Sequence, residues 1–300
     1  MSATAAIQSS VDNEDAGSAV TPPFELRIHD RPLARELGAA FILPRETVPL
    51  EVVGGDTLPH SIAAAAGELI AEGLNRWIWR APALAGLYPL TVTDSRGRHS
   101  TTVNAFVMVP ASSAASRLNG YTIGQYPPRA VKHDVLYAPP DAFVEVTTEN
   151  QGAALSPHFR LKDFLCKQAG SFPKYVVLRE ELIVKLERLL RVVRLRGFDV
   201  DTLHLMSGYR TPSYNRAIGN VAYSMHLWGG AADVIADIDL NHDQRIDRRD
   251  AVMLAGLVDG LAHDGDSDAP RGGLGVYGAT QAHGPFVHVD VRPATARWGD

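Results

Sequence analysis

The sequence has only one cysteine, Cys166, in 300 residues. A single thiol excludes an internal disulfide and a zinc cage built from cysteines. An excess of positive charge is also missing, because 29 lysines and arginines stand against 34 aspartates and glutamates, for a formal net charge of −5. A mildly acidic chain lacks the basic surface by which proteins bind nucleic acid, so we expect no nucleic-acid partner.

Long apolar runs are absent as well. No stretch approaches the roughly 20 apolar residues that a membrane-spanning helix needs, so we expect no integral membrane segment. Residues 1–23 are small, polar and acidic, without the basic and apolar segments of a secretory signal peptide. This composition predicts a disordered tail. The chain as a whole has 45% hydrophobic residues and is long enough for about two domains.

Residues 24–112 have the pattern of a β-rich domain. Apolar and polar residues alternate over 24–28, and strand-like segments recur over 48–53 and 76–80. Short strands at this spacing predict a β-sandwich of the immunoglobulin-like type. Residues 61–72, rich in alanine, are predicted to form a helix instead.

The second half of the chain has a different pattern. Residues 113–157 are rich in proline, glycine, tyrosine and serine, which predicts an extended connector. Residues 158–300 are predicted to form an α+β domain, in which apolar residues recur with a period near 3.6 over 178–195 and indicate an amphipathic helix. Another helix and two strands are predicted over 251–261, 203–206 and 286–291.

Two histidines and an aspartate have the chemistry of a zinc site. His226 and Asp233 are seven residues apart, and Gly229 and Gly230 between them allow a sharp turn that points Asp233 back towards an ion held by His226. His288 lies in the last predicted strand. Two imidazoles and a carboxylate bind zinc and leave a fourth position for water, whose pKa zinc lowers towards about 7.

The surrounding residues resemble the zinc D-Ala-D-Ala carboxypeptidases and their murein endopeptidase relatives, which cut peptide bonds in bacterial peptidoglycan. The resemblance covers about residues 157–300. It rests on four motifs, namely Ser224-x-His226-x-x-Gly229-x-Ala231-x-Asp233, Gly272-Gly273-x-Gly275-x-Tyr277, Phe286-Val287-His288-Val289-Asp290 and Arg297-Trp298.

This resemblance implies a zinc metallopeptidase with an α+β fold. The implied zinc ligands are His226, Asp233 and His288. Peptidoglycan or its stem peptides would be the partner, and the periplasm or cell envelope the location. The family includes endopeptidases, carboxypeptidases and dipeptidases with the same ligands, so the bond that is cut stays open.

The resemblance also implies roles for three further residues. Arg210 would hold a substrate carboxylate or carbonyl, although a structural salt bridge is the alternative. His283, five residues before the last ligand, would stabilise the transition-state oxyanion, unless it is a loop histidine without a role. Ser224 would hydrogen-bond the substrate backbone.

The general base is where the sequence departs from the family. Many relatives carry an acidic residue three positions before the last histidine ligand, and Pro285 stands there in this chain. Asp290 is the nearest acidic substitute, and either acts as the base or orients a ligand imidazole. The departure leaves a second function open, that of a non-catalytic cell-wall binding or scaffold protein with a structural zinc site.

Residues 239–250 resemble an EF-hand calcium loop of the dockerin type. Gln244 occupies the sixth position, where glycine normally makes the turn, and a positive φ there would cost about 1 kcal/mol. The alternative is a solvated acidic turn that caps the following helix. The predicted calcium ligands are Asp239, Asn241, Asp243, the backbone carbonyl of Arg245, Asp247 and Asp250.

Overall fold

A computed structural model describes residues 24–54, 59–112, 116–128, 135–261 and 272–299. The predicted disordered tail, residues 1–23, lies outside this part of the chain. No helix within the described ranges combines the length and the apolar character that crossing a membrane requires.

The N-terminal part consists of two sheets that pack over one core. Its strands are β1 (Phe24–Ile28), β2 (Arg31–Pro32), β3 (Ala39–Ile42), β4 (Thr47–Gly54), β5 (His60–Ala64), β6 (Glu68–Gly73), β7 (Arg76–Arg80), β8 (Gly86–Asp94) and β9 (Ser100–Val107). One sheet has the order β2-β1-β4-β7-β6 and the other β3-β9-β8-β5. Alternate side chains of both sheets surround the fully buried Trp79. Likeness to an immunoglobulin domain stays a prediction.

The prediction of a helix over residues 61–72 is wrong. This segment forms β5 and β6, which pair with β8 and β7 respectively. The chain turns between them at Gly67, which has φ +90° and lies so close to Trp79 that a Cβ would be 2.5 Å from its Nε1. The Trp79 Nε1–H also donates to the Ala66 carbonyl at 2.9 Å. Strand pairing and this anchor outweigh the helix preference of the alanines.

The described residues that follow this N-terminal part form helices and three further sheets. Its elements are β10 (Val109–Pro110), β11 (Arg117–Leu118), β12 (Tyr121–Thr122), β13 (Ala142–Val146), β14 (Lys174–Val176), α1 (Glu180–Leu195), β15 (Leu205–Ser207), α2 (Pro212–Ala217), β16 (Ala231–Ile235), α3 (Arg248–Leu261), β17 (Gly273–Tyr277), β18 (Phe286–Asp290) and β19 (Ala296–Gly299). Helices α1 and α3 and strand β18 confirm the predicted helices and the predicted strand near residue 286.

The predicted connector is built into the packed structure. Within it, β13 pairs with β10 on one side and β14 on the other. Phe143, Val144 and Leu155 are buried in the core that α1 also enters. The Asn104 amide donates to the Ala154 carbonyl at 2.9 Å and ties the N-terminal sheets to this segment.

One sheet positions the candidate ligands. Its strand order is β15-β16-β18-β17-β19. Ala232 and Val234 of β16 and Val287 and Val289 of β18 pack into the core shared with α1 and α3. Because side chains alternate along a strand, Asp233, between Ala232 and Val234, faces the opposite side, away from the helices.

Candidate metal centre

Sheet register and a tight turn bring the three predicted ligands together. Asp233 of β16 lies directly opposite His288 of β18. His226 lies on a short 3-10 helix, Met225–Trp228, that ends at Gly229 with φ +63°. A Cβ at Gly229 would lie 2.1 Å from the Val177 carbonyl oxygen, so glycine is required where the chain returns to the sheet.

The ligand atoms converge on one point. His226 Nε2 lies 3.2 Å from Asp233 Oδ1 and 3.2 Å from His288 Nδ1, and His288 Nδ1 lies 2.9 Å from Asp233 Oδ1. All three side chains are buried. Within the described residues they form the one group of three or more acidic, histidine or cysteine side chains close enough to share a metal ion.

The outer ring nitrogen of each imidazole faces an oxygen that can accept a hydrogen bond. His226 Nδ1 lies 2.6 Å from the Gly208 carbonyl oxygen, which only accepts, so Nδ1 carries the proton and Nε2 keeps its lone pair. His288 Nε2 lies 3.3 Å from Asp290 Oδ2, which leaves His288 Nδ1 as the ligand atom. With the ring protons on these outer nitrogens, two nitrogen lone pairs and a carboxylate oxygen meet, as a zinc ion requires.

The electrostatics of the site suit a cation. Burial raises the pKa of Asp233, but the charges and hydrogen bonds of His226 and His288 outweigh it and hold that pKa well below the usual range. Burial lowers the pKa of His226. Burial also lowers the pKa of His288, but the hydrogen bonds and charges of Asp233 and Asp290 outweigh it and raise that pKa. An ionised carboxylate and a neutral imidazole are the forms that bind metal.

An open cleft of about 540 Å³ lies over this centre. Arg210 and Ser224 line it, as do the side chains of the ligands. The Arg210 guanidinium hydrogen-bonds Asp233 Oδ2, the oxygen that does not face the histidines, and its Nε donates to Ser207 Oγ at 2.9 Å. Arg210 thus both steadies a ligand carboxylate and borders the space above it.

Comparison with known proteins agrees with this donor set. Residues 157–249, which include His226 and Asp233, match the family model described as Peptidase M15. The chain contains a Peptidase M15 domain. Members of this family are zinc peptidases, so the family match and the three converging donors, of which His288 lies beyond the matched residues, indicate the same metal.

The other comparisons add little to the M15 match. No curated protein matches the chain. Among solved structures, the crystal structure of the titin M3 domain is similar with 18% identity, over 28% of this chain and 95% of that chain, at a TM-score of 0.18. A similarity at this level does not establish a shared fold.

Asp290 lies behind the candidate metal centre, next to His288. Its carboxylate is fully buried and accepts from the Gly273 amide at 2.6 Å and from Arg292 Nε at 2.8 Å, in addition to His288. Burial raises its pKa, but the hydrogen bonds from His288, Arg292 and Gly273 outweigh that effect and lower it. This carboxylate is held against a ligand imidazole and does not line the cleft.

His283 is not brought to the cleft. Its ring lies edge-on to Phe286, with centroids 5.0 Å apart, and its Nδ1 lies 2.8 Å from the Gly284 carbonyl oxygen. Phe286 lines the cleft, and His283 packs beside it. The predicted oxyanion donor therefore occupies a neighbouring loop.

The cleft also has walls that sequence reasoning did not assign. Tyr223, Tyr277, Phe286 and Trp298 supply aromatic surface, and Arg292 supplies a cation. One of these residues, Phe286, could have been predicted from the sequence. Side chains alternate along a strand, so Phe286 lies on the same face of β18 as His288.

The acidic loop 239–250 has its carboxylates bound to its own backbone. Asp239 accepts from the amides of Asp243 and Gln244 at 3.1 and 2.8 Å, and Asp250 accepts from those of Leu240 and Asp247, both at 2.9 Å. Gln244 has φ +64°, the left-handed conformation expected at the sixth position. Asn241 and Arg249 also engage this network, and calcium binding by the loop stays a prediction.

Proposed function

We propose that this protein is a zinc-dependent metallopeptidase of the cell envelope that hydrolyses peptide bonds in bacterial peptidoglycan, including bonds of D-amino acids. The observation that carries the proposal is the convergence of three buried donors at the floor of an open cleft. Structural zinc sites are closed by four protein ligands, whereas catalytic sites keep a position for water. Three protein ligands beneath an open space match the catalytic type.

The residues around the centre then have distinct tasks. A bound zinc ion would lower the pKa of a water to about 7 and polarise a substrate carbonyl. Asp290 orients the His288 ring through Nε2, which favours a positioning role over that of general base. Arg210 steadies Asp233 and presents its remaining N–H groups to a substrate carboxylate or carbonyl, and Ser224 borders the path of the substrate backbone.

The alternative, a wall-binding scaffold with a structural zinc ion, is favoured by one observation. Pro285 replaces the expected acidic residue, and among the described residues that line the cleft Asp233 is the sole carboxylate. Asp233 is a candidate metal ligand and already accepts from Arg210. A measurement of hydrolysis decides between the two functions.

The test combines metal analysis with digestion of purified peptidoglycan and of defined muropeptides. We expect about one zinc ion per chain and release of peptide products by the wild type, and neither by His226→Ala. His204→Ala is the matched control, since His204 is an exposed histidine paired with Asp237 at 2.6 Å outside the centre. This control should keep both zinc and activity.

The peptide products show which bond is cut. Zinc binding and hydrolysis, taken together, show which of the two functions the protein has. Release of terminal alanine indicates a carboxypeptidase, and conversion of cross-linked dimers to monomers indicates an endopeptidase. Zinc binding without any product would favour the scaffold. A wild type that binds no zinc after reconstitution would contradict both functions.

A further inference from the structure

The sheet that holds the ligands carries a tyrosine and a tryptophan on the same face. In the β17–β18 register Gly275 lies opposite His288, and in the β17–β19 register it lies beside Trp298. The indole rests directly on β17, because a Cβ at Gly275 would lie 2.5 Å from its Nε1 and a Cβ at Gly273 would lie 2.7 Å from its Cη2. The two glycines therefore make room for Trp298 next to a metal ligand.

These contacts fix the Tyr277 hydroxyl at the wall of the cleft. The Trp298 ring lies 5.1 Å from the His288 ring, and its Nε1–H donates to the Tyr277 hydroxyl oxygen at 2.8 Å. The Tyr277 ring stacks on Phe286, with centroids 4.5 Å apart and planes 9° apart. Stacking on one side and a hydrogen bond at the tip hold the phenol in place.

The direction of that hydrogen bond leaves a proton on Tyr277. An indole N–H only donates, so the Tyr277 oxygen is the acceptor and its own O–H stays available to an acceptor in the cleft. Tyr223, the other tyrosine of the cleft, differs because its O–H donates to the Pro128 carbonyl at 2.9 Å. Two tyrosines thus line the same space, and the phenolic proton of one of them, Tyr223, is committed to the backbone.

We propose that Tyr277 is a catalytic residue that donates its phenolic hydrogen bond to the scissile carbonyl oxygen as negative charge develops there. Trp298 is the positioning residue that orients this hydroxyl. The proton stays on Tyr277 throughout, so no bond to the phenol breaks or forms. The inference rests on the proposed peptidase function, and it supplies the oxyanion donor that His283, packed beside Phe286, does not provide in this structure.

The test compares Tyr277→Phe with Tyr223→Phe, its matched control. Removal of one oxyanion donor costs about 100- to 1000-fold in kcat, and we expect a fall in this range for Tyr277→Phe with KM within about twofold of wild type. Tyr223→Phe should stay within about threefold of wild type, since its proton is committed to Pro128. Zinc content and melting temperature of both variants should match the wild type.

Two further measurements separate catalysis from structure. Trp298→Phe removes the indole N–H, and we expect a smaller loss of kcat, of about tenfold, because the hydroxyl stays but is less well oriented. A phosphinate pseudodipeptide, whose oxygens imitate the oxyanion, should bind Tyr277→Phe about 100-fold more weakly by calorimetry and bind Tyr223→Phe unchanged. This binding readout does not depend on turnover.

Several outcomes would overturn the inference. Equal kcat losses in Tyr277→Phe and Tyr223→Phe, unchanged phosphinate binding, or a rise in KM at constant kcat would each assign Tyr277 to packing or to ground-state binding. If Tyr277→Phe loses zinc or has a lower melting temperature, its kcat no longer tests the inference. In that case an unchanged kcat in a folded Trp298→Phe contradicts the proposed roles of Tyr277 and Trp298. An inactive wild type refutes the peptidase function itself, and a failure confined to Tyr277→Phe leaves that function intact.

Discussion

The candidate metal centre and the acidic loop 239–250 are two groups of polar side chains, and different contacts hold their donor atoms in place. The centre takes its donors from three separate segments, which sheet register and the turn at Gly229 bring within 3.2 Å of one another. The loop takes its donors from one continuous segment, residues 239–250, and its carboxylate oxygens accept from amides of that same segment. The donors of the centre are all buried, whereas those of the loop range from the buried Asp250 to the exposed Asp243.

The difference shows what preorganises a cation site. In the centre, the Gly208 carbonyl and the Asp290 carboxylate face the outer ring nitrogens, so the inner nitrogens of both histidines stay directed at one point. In the loop, backbone amides already satisfy the carboxylates, and an ion has to share their oxygens with those amides. We therefore expect strong zinc binding at the centre and, at most, a smaller effect of calcium at the loop.

Asp233→Asn breaks the centre and is expected to have the largest effect. Zinc affinity should fall more than about 100-fold, since even residues that only orient ligands contribute roughly 10- to 100-fold. The buried Arg210 loses its charged partner, and the free energy of unfolding of the metal-free protein should fall by about 3–5 kcal/mol. Metal titration and denaturant unfolding measure the two effects.

The loop supplies the control for this variant. Asp239→Asn changes a carboxylate six residues away whose partners are exposed backbone amides, and it should leave zinc affinity unchanged. Equal zinc loss in the two variants would mean that loop and centre form a single site.

Asp290→Asn sharpens the comparison, because it keeps all three ligands and alters only the support of one. The amide that replaces the Asp290 carboxylate accepts the His288 N–H less strongly than the carboxylate does. It also leaves Arg292 without its charged partner. We expect a fall in zinc affinity of about 10- to 100-fold, smaller than for Asp233→Asn.

Asp237→Asn is the control for this substitution, since its carboxylate is half exposed and faces His204. If Asp290 were instead the general base, zinc affinity would be kept while kcat collapsed. Metal titration and steady-state kinetics on the same preparation distinguish the two roles.

The same comparison explains how much of the molecule could be predicted from the sequence. The ligands His226, Asp233 and His288 were predictable because each lies in a short motif of defined spacing. The helix α1 was predictable from its apolar period. Both signals are local, so they do not depend on which distant segment packs against them.

Features that depend on distant pairing were missed. The helix predicted over residues 61–72 is based on their alanines, which have a high helix propensity. These residues form strands only because they pair with β8 and β7. The position of Trp298 over His288 depends on the parallel pairing of β19 with β17. The role of His283 rests on its spacing to His288 and stays a prediction, and in the structure its ring packs against the neighbouring Phe286.

Calcium binding by the loop is the prediction with the smallest expected effect. If the loop binds calcium, free calcium at ten times the dissociation constant contributes about 1.4 kcal/mol, which raises the melting temperature of a domain of this size by about 3–6 °C. Differential scanning fluorimetry with calcium, and with magnesium as the control ion, measures the shift.

Asp239→Ala decides whether such a shift belongs to the loop. Asp239 accepts from two loop amides, so its removal should lower the melting temperature without calcium and abolish the calcium-dependent rise. A wild type that does not respond to millimolar calcium would assign the loop to the alternative, an acidic turn whose Asp247 and Asp250 cap α3. The two regions would then differ in kind, since the centre would bind an ion and the loop would use its carboxylates only to hold its own backbone.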